Sequence, residues 1–345
     1  MQDDEGTYLL LILSDANLPT GSFVASAGLE STATHALFHA PTGPGTGGTS
    51  HPASSSSVSD ILAFLHNSVD TYARSALPFA RDAHRITCAY VDGEEIAEQL
   101  DDALAALARL DALYDASTLN HVARRASCAQ GAALLTLYAK GFARPPPHVM
   151  MSPVSVCSHP GRDFDRGDDV RESRAGALIA ALKLRVRRGE SDVQGHLPVC
   201  WGVLTGALGL TVGKLARESF LEFPPAPSHC RIVNFFFFFF IFVTLLDRAA
   251  HLHLFLHARG VLSAAVRMNI LGPYAAQQVL LHAVKPMLSD AISSTAHLVS
   301  GALQEQDDAE VYPEHADERL PATTWPLGEI LSARHDLLHS RIFNS

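Results

Sequence analysis

Apolar residues return every three or four positions through most of the chain. Ile61, Leu65, Val69 and Tyr72 fall on one helical face, Leu100, Leu104, Leu107 and Tyr114 on a second, and Leu252, Phe255, Leu256, Leu262, Val266 and Ile270 on a third. Runs such as "DDALAALARLDALYDA" add intrinsic helix propensity, whereas strict apolar–polar alternation between two-residue glycine turns is missing. The pattern predicts an all-α fold. Punctuation agrees: Ser59 or Asp60 can cap a helix starting at Ile61, Gly272 can close one helix and Pro273 open the next, and Pro286 should kink or restart the chain.

Three stretches break the helical pattern. Residues 40–57 are Gly, Ser, Pro and Thr with nothing to bury, and residues 144–169 form a proline-punctuated connector; both read as flexible surface segments. Residues 304–326 form an acidic linker that ends at the segment 327–345. There amphipathicity returns through Ile330, Leu331, Leu337, Leu338 and Ile342, which predicts a tail that orders against a partner. A fourth anomaly is apolar: "NFFFFFFIFV", residues 234–243, sets six phenylalanines in a row.

Charge removes some functions from consideration. With a formal net charge of -10, the chain lacks the cationic excess that a nonspecific nucleic-acid binder needs to displace counterions from phosphates. Its one basic cluster, Lys183, Arg185, Arg187 and Arg188, reads as a solvated helix end. Five cysteines without CxxC spacing signal neither a disulfide framework nor a zinc site, and three acids near the N-terminus do not suit a secretory signal. The cytoplasm is the default expectation.

Catalytic motifs are equally scarce. "GLTVGKL" is one residue short of a phosphate loop and has Leu215 where a magnesium-holding hydroxyl belongs. There is no GxSxG elbow and no HExxH helix, and nothing local would activate a triad of Ser14, Asp15 and His196. His253 and His257, with His251 close by, have the i, i+4 spacing that lets imidazoles share a metal, as do His335 and His339. No carboxylate or thiolate completes the face, so both pairs read as polar faces of amphipathic helices. A helical metal-dependent enzyme built on His251, His253 and His257 stays as a minor alternative. No cofactor or resident metal is indicated.

Motif order carries the functional reading further. "LLLILSDANLPTGSFVASAGLE" (9–30) resembles the opening of the UreF family of urease accessory proteins. "ARRASCAQGAALLTLYAKGF" (123–142), "GHLPVCWGVLTGALGLTV" (195–212), "HLHLFLHARGVLSAAVRMNILGPYAAQQ" (251–278) and the closing "WPLGEILSARHDLLHSRIFNS" resemble further blocks of that family in the same order. The resemblance implies a single-domain helical bundle of about eight to ten helices spanning residues 1–303. It also implies a non-catalytic chaperone, homodimeric, that bridges UreD (also called UreH) and the GTPase UreG so that nickel, the cargo, reaches apo-urease. Neither nucleic acid nor membrane would be a partner. By position, Pro19, Gly21 and Phe23 match the opening turn, and Gly28 and Glu30 match its GLE end. Arg259, Arg267 and Gln277 match polar positions of the long C-terminal helices, and Arg334, His335 and Arg341 match the tail that orders on UreD. All of these except Gly28 are implied interface residues.

Between two of these blocks the family has a short turn, whereas this chain places Gly213–Leu246 there. Gly213-Lys214 can be encoded GGT AAG, which contains a splice donor, and a phenylalanine run written in TTT and TTC codons is a polypyrimidine tract. Leu246-Asp247 can be read as CTA G|AC, an acceptor, and joining the two points restores an aspartate in frame. The expectation is a translated intron. The rival, a membrane-anchored adaptor, would use Ile232–Leu246, but those 15 residues fall short of the about 20 that a span requires.

Overall fold

The structure, a computed structural model, describes residues 2–35, 55–93, 98–143, 166–190, 192–210, 231–303 and 319–345. For 2–5, 55–57, 98–99, 166–168 and 231–247 it describes the backbone alone. The chain opens with α1 (Gln2–Leu13), a 3-10 turn (Ser22–Val24) and the short α2 (Leu29–Thr34). Then come α3 (Ser55–Asp92), α4 (Glu98–Ser117), α5 (His121–Leu137, prolonged by a π turn), α6 (Arg166–Arg188), α7 (Leu197–Ala207) and α8 (Arg231–Arg267). Helix α9 (Pro273–Gln278) runs through a π turn (Val279–Val284) into α10 (Lys285–Ser294), and α11 (Pro326–Ala333) with a 3-10 turn (Arg334–Leu337) ends the fold. The fold is all-α, and no strand occurs among the described residues.

Helix α3 is the spine. Its first half sends Ile61, Phe64, Leu65 and Val69 into a core shared with α2, α8, α9 and α10; its second half sends Phe79, Ala80, Ala83 and Tyr90 into a core shared with α4 to α7. Helix α7 lies at the centre, with every residue from Pro198 to Ala207 buried. A helix apolar on all sides can only be an inner one. It approaches α3 backbone to backbone, because Gly202 faces the Ala80 carbonyl and a methyl group there would collide with it. A helix start buried this deeply leaves amides without water, and they need partners. Asp111 supplies them, accepting from Gln194 N (2.5 Å), Gly195 N (2.9 Å) and His196 N (2.8 Å), while Ser127 Oγ takes Leu197 N (2.9 Å).

Several boundaries differ from expectation. Helix α3 already begins at Ser55, so Ser59 and Asp60 lie within it, and α6 begins at Arg166, inside the expected connector. The rest of 40–57 and of 144–169 lies outside the described residues. Gly272 does not close α8. Asn269 does, in the left-handed conformation at φ 56°, with Asn269 N bonded to Val266 O and Ile270 N to Ala265 O, both at 3.0 Å. That pair of bonds is the Schellman stop. Pro286 stands in the first turn of α10, where the π turn gives way to a new α-helix, so the winding of the chain restarts there.

The buried face of α8 also differs. Among its described side chains Leu254, Ala258, Val261, Ala264 and Ala265 are the most deeply buried, whereas Phe255, Leu256, Val266 and Ile270 are only partly covered. Alanines let neighbouring helices approach, so the closest contact falls on the small residues rather than the large ones. The basic end of α6 is as expected: Arg185 and Arg188 lie 3.6 and 3.9 Å from Glu190.

Candidate functional site

The N-terminal turn, the end of α8 and the C-terminal segment meet at one place. Asp15 organises the turn locally, its Oδ1 accepting from Asn17 N (2.9 Å) and Nδ2 (3.0 Å). Gly21 follows at φ 73°, then the 3-10 turn, and then Ala27 and Gly28 at φ 52° and 83°. This double left-handed step swings α2 inward and delivers Glu30. Only glycine suits position 28, since a side chain would meet both the strained backbone angle and Ser332 Cβ at 2.9 Å.

Glu30 is 4% exposed and saturated with donors. Its Oε2 accepts from His335 Nε2 (3.0 Å) and Phe343 N (3.1 Å), and its Oε1 from Ile342 N (2.5 Å). His335 is wholly buried, and its other ring nitrogen faces Asp336 Oδ1 at 3.8 Å. Beside this carboxylate the last residues run along the opening turn, with Asn344 N bonded to Val24 O (2.9 Å) and Ser26 N to Ser345 O (2.6 Å). Arg267 closes the corner: its guanidinium sits 4.4 Å from the Phe343 ring centroid and 5.7 Å from that of Phe23, and it donates to the Phe23 carbonyl. Farther along α8, Arg259 donates to the Ser14 carbonyl, and burial lowers its pKa against the opposing charge of Asp15.

Asp336 ties the same segment to α5. It accepts two bonds from Arg125 (both 2.9 Å), one from Arg341 (3.0 Å) and one from His121 (3.2 Å). The Arg125 bonds come first among the causes that hold its carboxyl well below the usual range. Arg334 reaches His35 Nε2 at 3.3 Å, and Trp325 sets its ring edge-on to Phe64 with centroids 5.2 Å apart.

The expected partner-facing residues therefore separate into two groups. Phe23, Glu30, Arg267, Arg334, His335 and Arg341 converge here, with Glu30 and His335 buried in the joint rather than presented to solvent. Gly21 bends the turn next to it and Pro19 lies exposed on it, whereas Gln277 is exposed on α9 and makes no part of the cluster. The tail has two apolar faces. Leu331, Leu338 and Phe343 point inward, while Leu327, Ile330, Leu337 and Ile342 are exposed by 53%, 60%, 74% and 58%. Residues 319–326, expected to belong to a linker, are held too: Val299 N bonds Arg319 O (3.0 Å), and the Thr324 hydroxyl bonds Asp70 Oδ2 (2.9 Å). Asp336, Arg125 and Ser26 were missed by sequence reasoning; only their places inside the matching blocks could have pointed to them.

The histidines of α8 do not form the polar face expected of them. His253 is 3% exposed, with Nε2 2.9 Å from the Tyr72 hydroxyl, and His257 Nε2 lies 2.9 Å from the Ser68 hydroxyl while its ring stacks on Tyr72 at 4.3 Å. Burial lowers their pKa values to about 3 and about 4. Both rings border a cavity of about 650 Å³ between α3, α8 and α11. Among the described residues no group of three metal-ligating side chains converges.

His196 belongs elsewhere than in a triad with Ser14 and Asp15. Its Nε2 bonds Asp115 Oδ1 (3.0 Å), while Ser14 Oγ donates to Leu11 O and Asp15 Oδ1 accepts from Asn17, so the three side chains do not come together. Cys128 Sγ lies 3.6 and 3.8 Å from the two nitrogens of the His196 ring. A sulfur nearly equidistant from both sits off the carbon between them, so neither lone pair aims at it. Burial, reinforced by Asp111 and Asp115, pushes the Cys128 thiol up to about 11. The thiol stays protonated at neutral pH and is no activated nucleophile.

Comparison with known proteins supplies the context. Residues 56–219 and 245–284 match the model of the UreF family. The chain is 34% identical over 354 aligned positions, 98% of its own length and 96% of the relative's, to urease accessory protein 6 of Cryptococcus neoformans var. grubii. It is 24% identical over 339 positions, 98% of this chain and 97% of the relative, to an uncharacterized urease accessory protein UreF-like of Schizosaccharomyces pombe.

Proposed function

Because this chain belongs to the UreF family, we propose that it is a urease accessory protein that makes no covalent bond itself, and that it joins UreD to the GTPase UreG on the path of nickel to apo-urease. The observation that carries this reading is the two-faced tail. Its inner side chains hold it to the body, and Leu327, Ile330, Leu337 and Ile342 remain as exposed apolar surface among the described residues. Exposed apolar side chains on an ordered, hydrogen-bonded segment are what a partner would cover. UreD is the partner assigned to this surface, and UreG binding and homodimerisation are assigned to the rest of the bundle.

Co-purification with UreD and UreG tests it. The whole chain should retain both, and L337D/I342D should lose UreD while keeping UreG. Retention of UreD by that variant would overturn the assignment of the tail. Among the described residues no helix is long and apolar enough to cross a membrane. The imidazoles of an enzymatic alternative are bonded to Tyr72 and Ser68, which favours the scaffold reading.

Gly213–Leu246 is read as standing outside the working protein, as a translated intron. One observation supports this: the family match is interrupted between 219 and 245, within that segment. Sequencing of transcripts across codons 213–247 is the test, and a population wholly without a junction there would end the idea.

A further inference from the structure

We infer that Glu30 is a positioning residue: it fixes the register of the C-terminal segment on the body and so presents Leu327, Ile330, Leu337 and Ile342 to a partner in a preformed arrangement. The inference rests on the docking reading above and adds to it the residue that sets the geometry. A carboxylate that leaves water loses its hydration and keeps its charge only where donors replace it. Glu30 is 4% exposed, and the donors shown for it all come from the tail: the His335 ring and the amides of Ile342 and Phe343.

Two consecutive amides on one carboxylate define register. A slip of one residue would bring a different pair to Glu30 and turn Phe343, now 2% exposed under Arg267, toward solvent in exchange for Ile342. Apolar contacts alone do not discriminate in this way, since the tail carries apolar side chains on both faces. Helix α11 is too short to hold its own shape, because isolated helices below about 12 residues are marginal in water. The tail's form is therefore borrowed from the body, and Glu30 is the buried group that takes three of its donors, alongside the Asp336–Arg125 pair and the backbone bonds of Asn344 and Ser345 to the opening turn.

The consequence concerns binding. A segment already ordered loses little further freedom on association, whereas a released one must be ordered first, and the apparent affinity falls with the fraction in the competent form. The test uses the whole chain in E30A, E30Q and L337D/I342D forms, with amide hydrogen exchange at residues 335–345 and the kinetics of association with UreD. E30A should expose the Ile342 and Phe343 amides to exchange and slow association about tenfold or more, with the dissociation rate nearly unchanged. E30Q, which keeps acceptor oxygen at the same reach, should recover part of both. L337D/I342D should speed dissociation and leave the amides protected.

Unchanged protection in E30A would overturn the role of Glu30 whatever UreD does. Lost protection with equal or faster association would also overturn it, since the partner would then bind a released tail. Normal UreD binding by L337D/I342D would instead overturn the docking reading itself.

Discussion

His253 and His257 illustrate how a residue's surroundings decide its chemistry. Both have pKa values lowered by burial, to about 3 and about 4, and His84, bonded to Thr205, is lowered to about 4 as well. Above a pH of about 6.5 the folded and unfolded chains both hold these rings neutral, and stability is indifferent to them. Between about 6.5 and about 4 the unfolded chain takes up protons that the folded one refuses, so stability falls as acid is added, by on the order of 3 kcal/mol per ring near the lower limit. The urea midpoint should therefore decline across that range, and H253Q/H257Q should flatten the decline even if it is less stable at pH 7. The sequence shows the i, i+4 spacing plainly but not the burial, because the hydroxyls that satisfy these rings come from Ser68 and Tyr72, 189 and 181 residues away. Glu30 is similar: its motif is legible locally, its donors are not.

Among the elements, α7 gives the sharpest test of packing. A methyl group at Gly202 meets the Ala80 carbonyl, so G202A should cost about 2 kcal/mol or more by urea unfolding. D111A leaves three amides before α7 without their acceptor, two of them buried, and should cost about 3 kcal/mol by the same measurement. Deleting Gly213–Leu246 while keeping Asp247 should raise soluble yield and leave UreD binding intact; a lower yield would show that the segment contributes to the fold. Helix existence was well signalled by apolar spacing, and α3, α4 and α8 follow it. Helix limits were not: Asn269, which tolerates the left-handed conformation, stops α8 through bonds to Val266 and Ala265, three residues before the glycine expected to do so. The alanine-rich inner face of α8 escaped for a related reason: burial follows closeness of approach, and size alone misdirects.

For the molecule as a whole, the apolar pattern, the charge and the order of motifs together indicated an all-α member of this family. The path of the tail could not be read in the same way, since the residues that seat it are spread over the opening turn, α3, α5 and α8. That path has a consequence for how the chain can be divided. Val299 N bonds Arg319 O on the two sides of the stretch 304–318, so the tail is tied to the body from its first described residue onward. Two separate polypeptides, one ending at Leu303 and the other comprising Arg319–Ser345, should recombine into a heterodimer when produced together, with Trp325, His335 and Phe343 of the short piece refilling the same seats. Replacing the short piece by one bearing a label or a crosslinker would then turn the protein into a reporter of its own assembly with urease components.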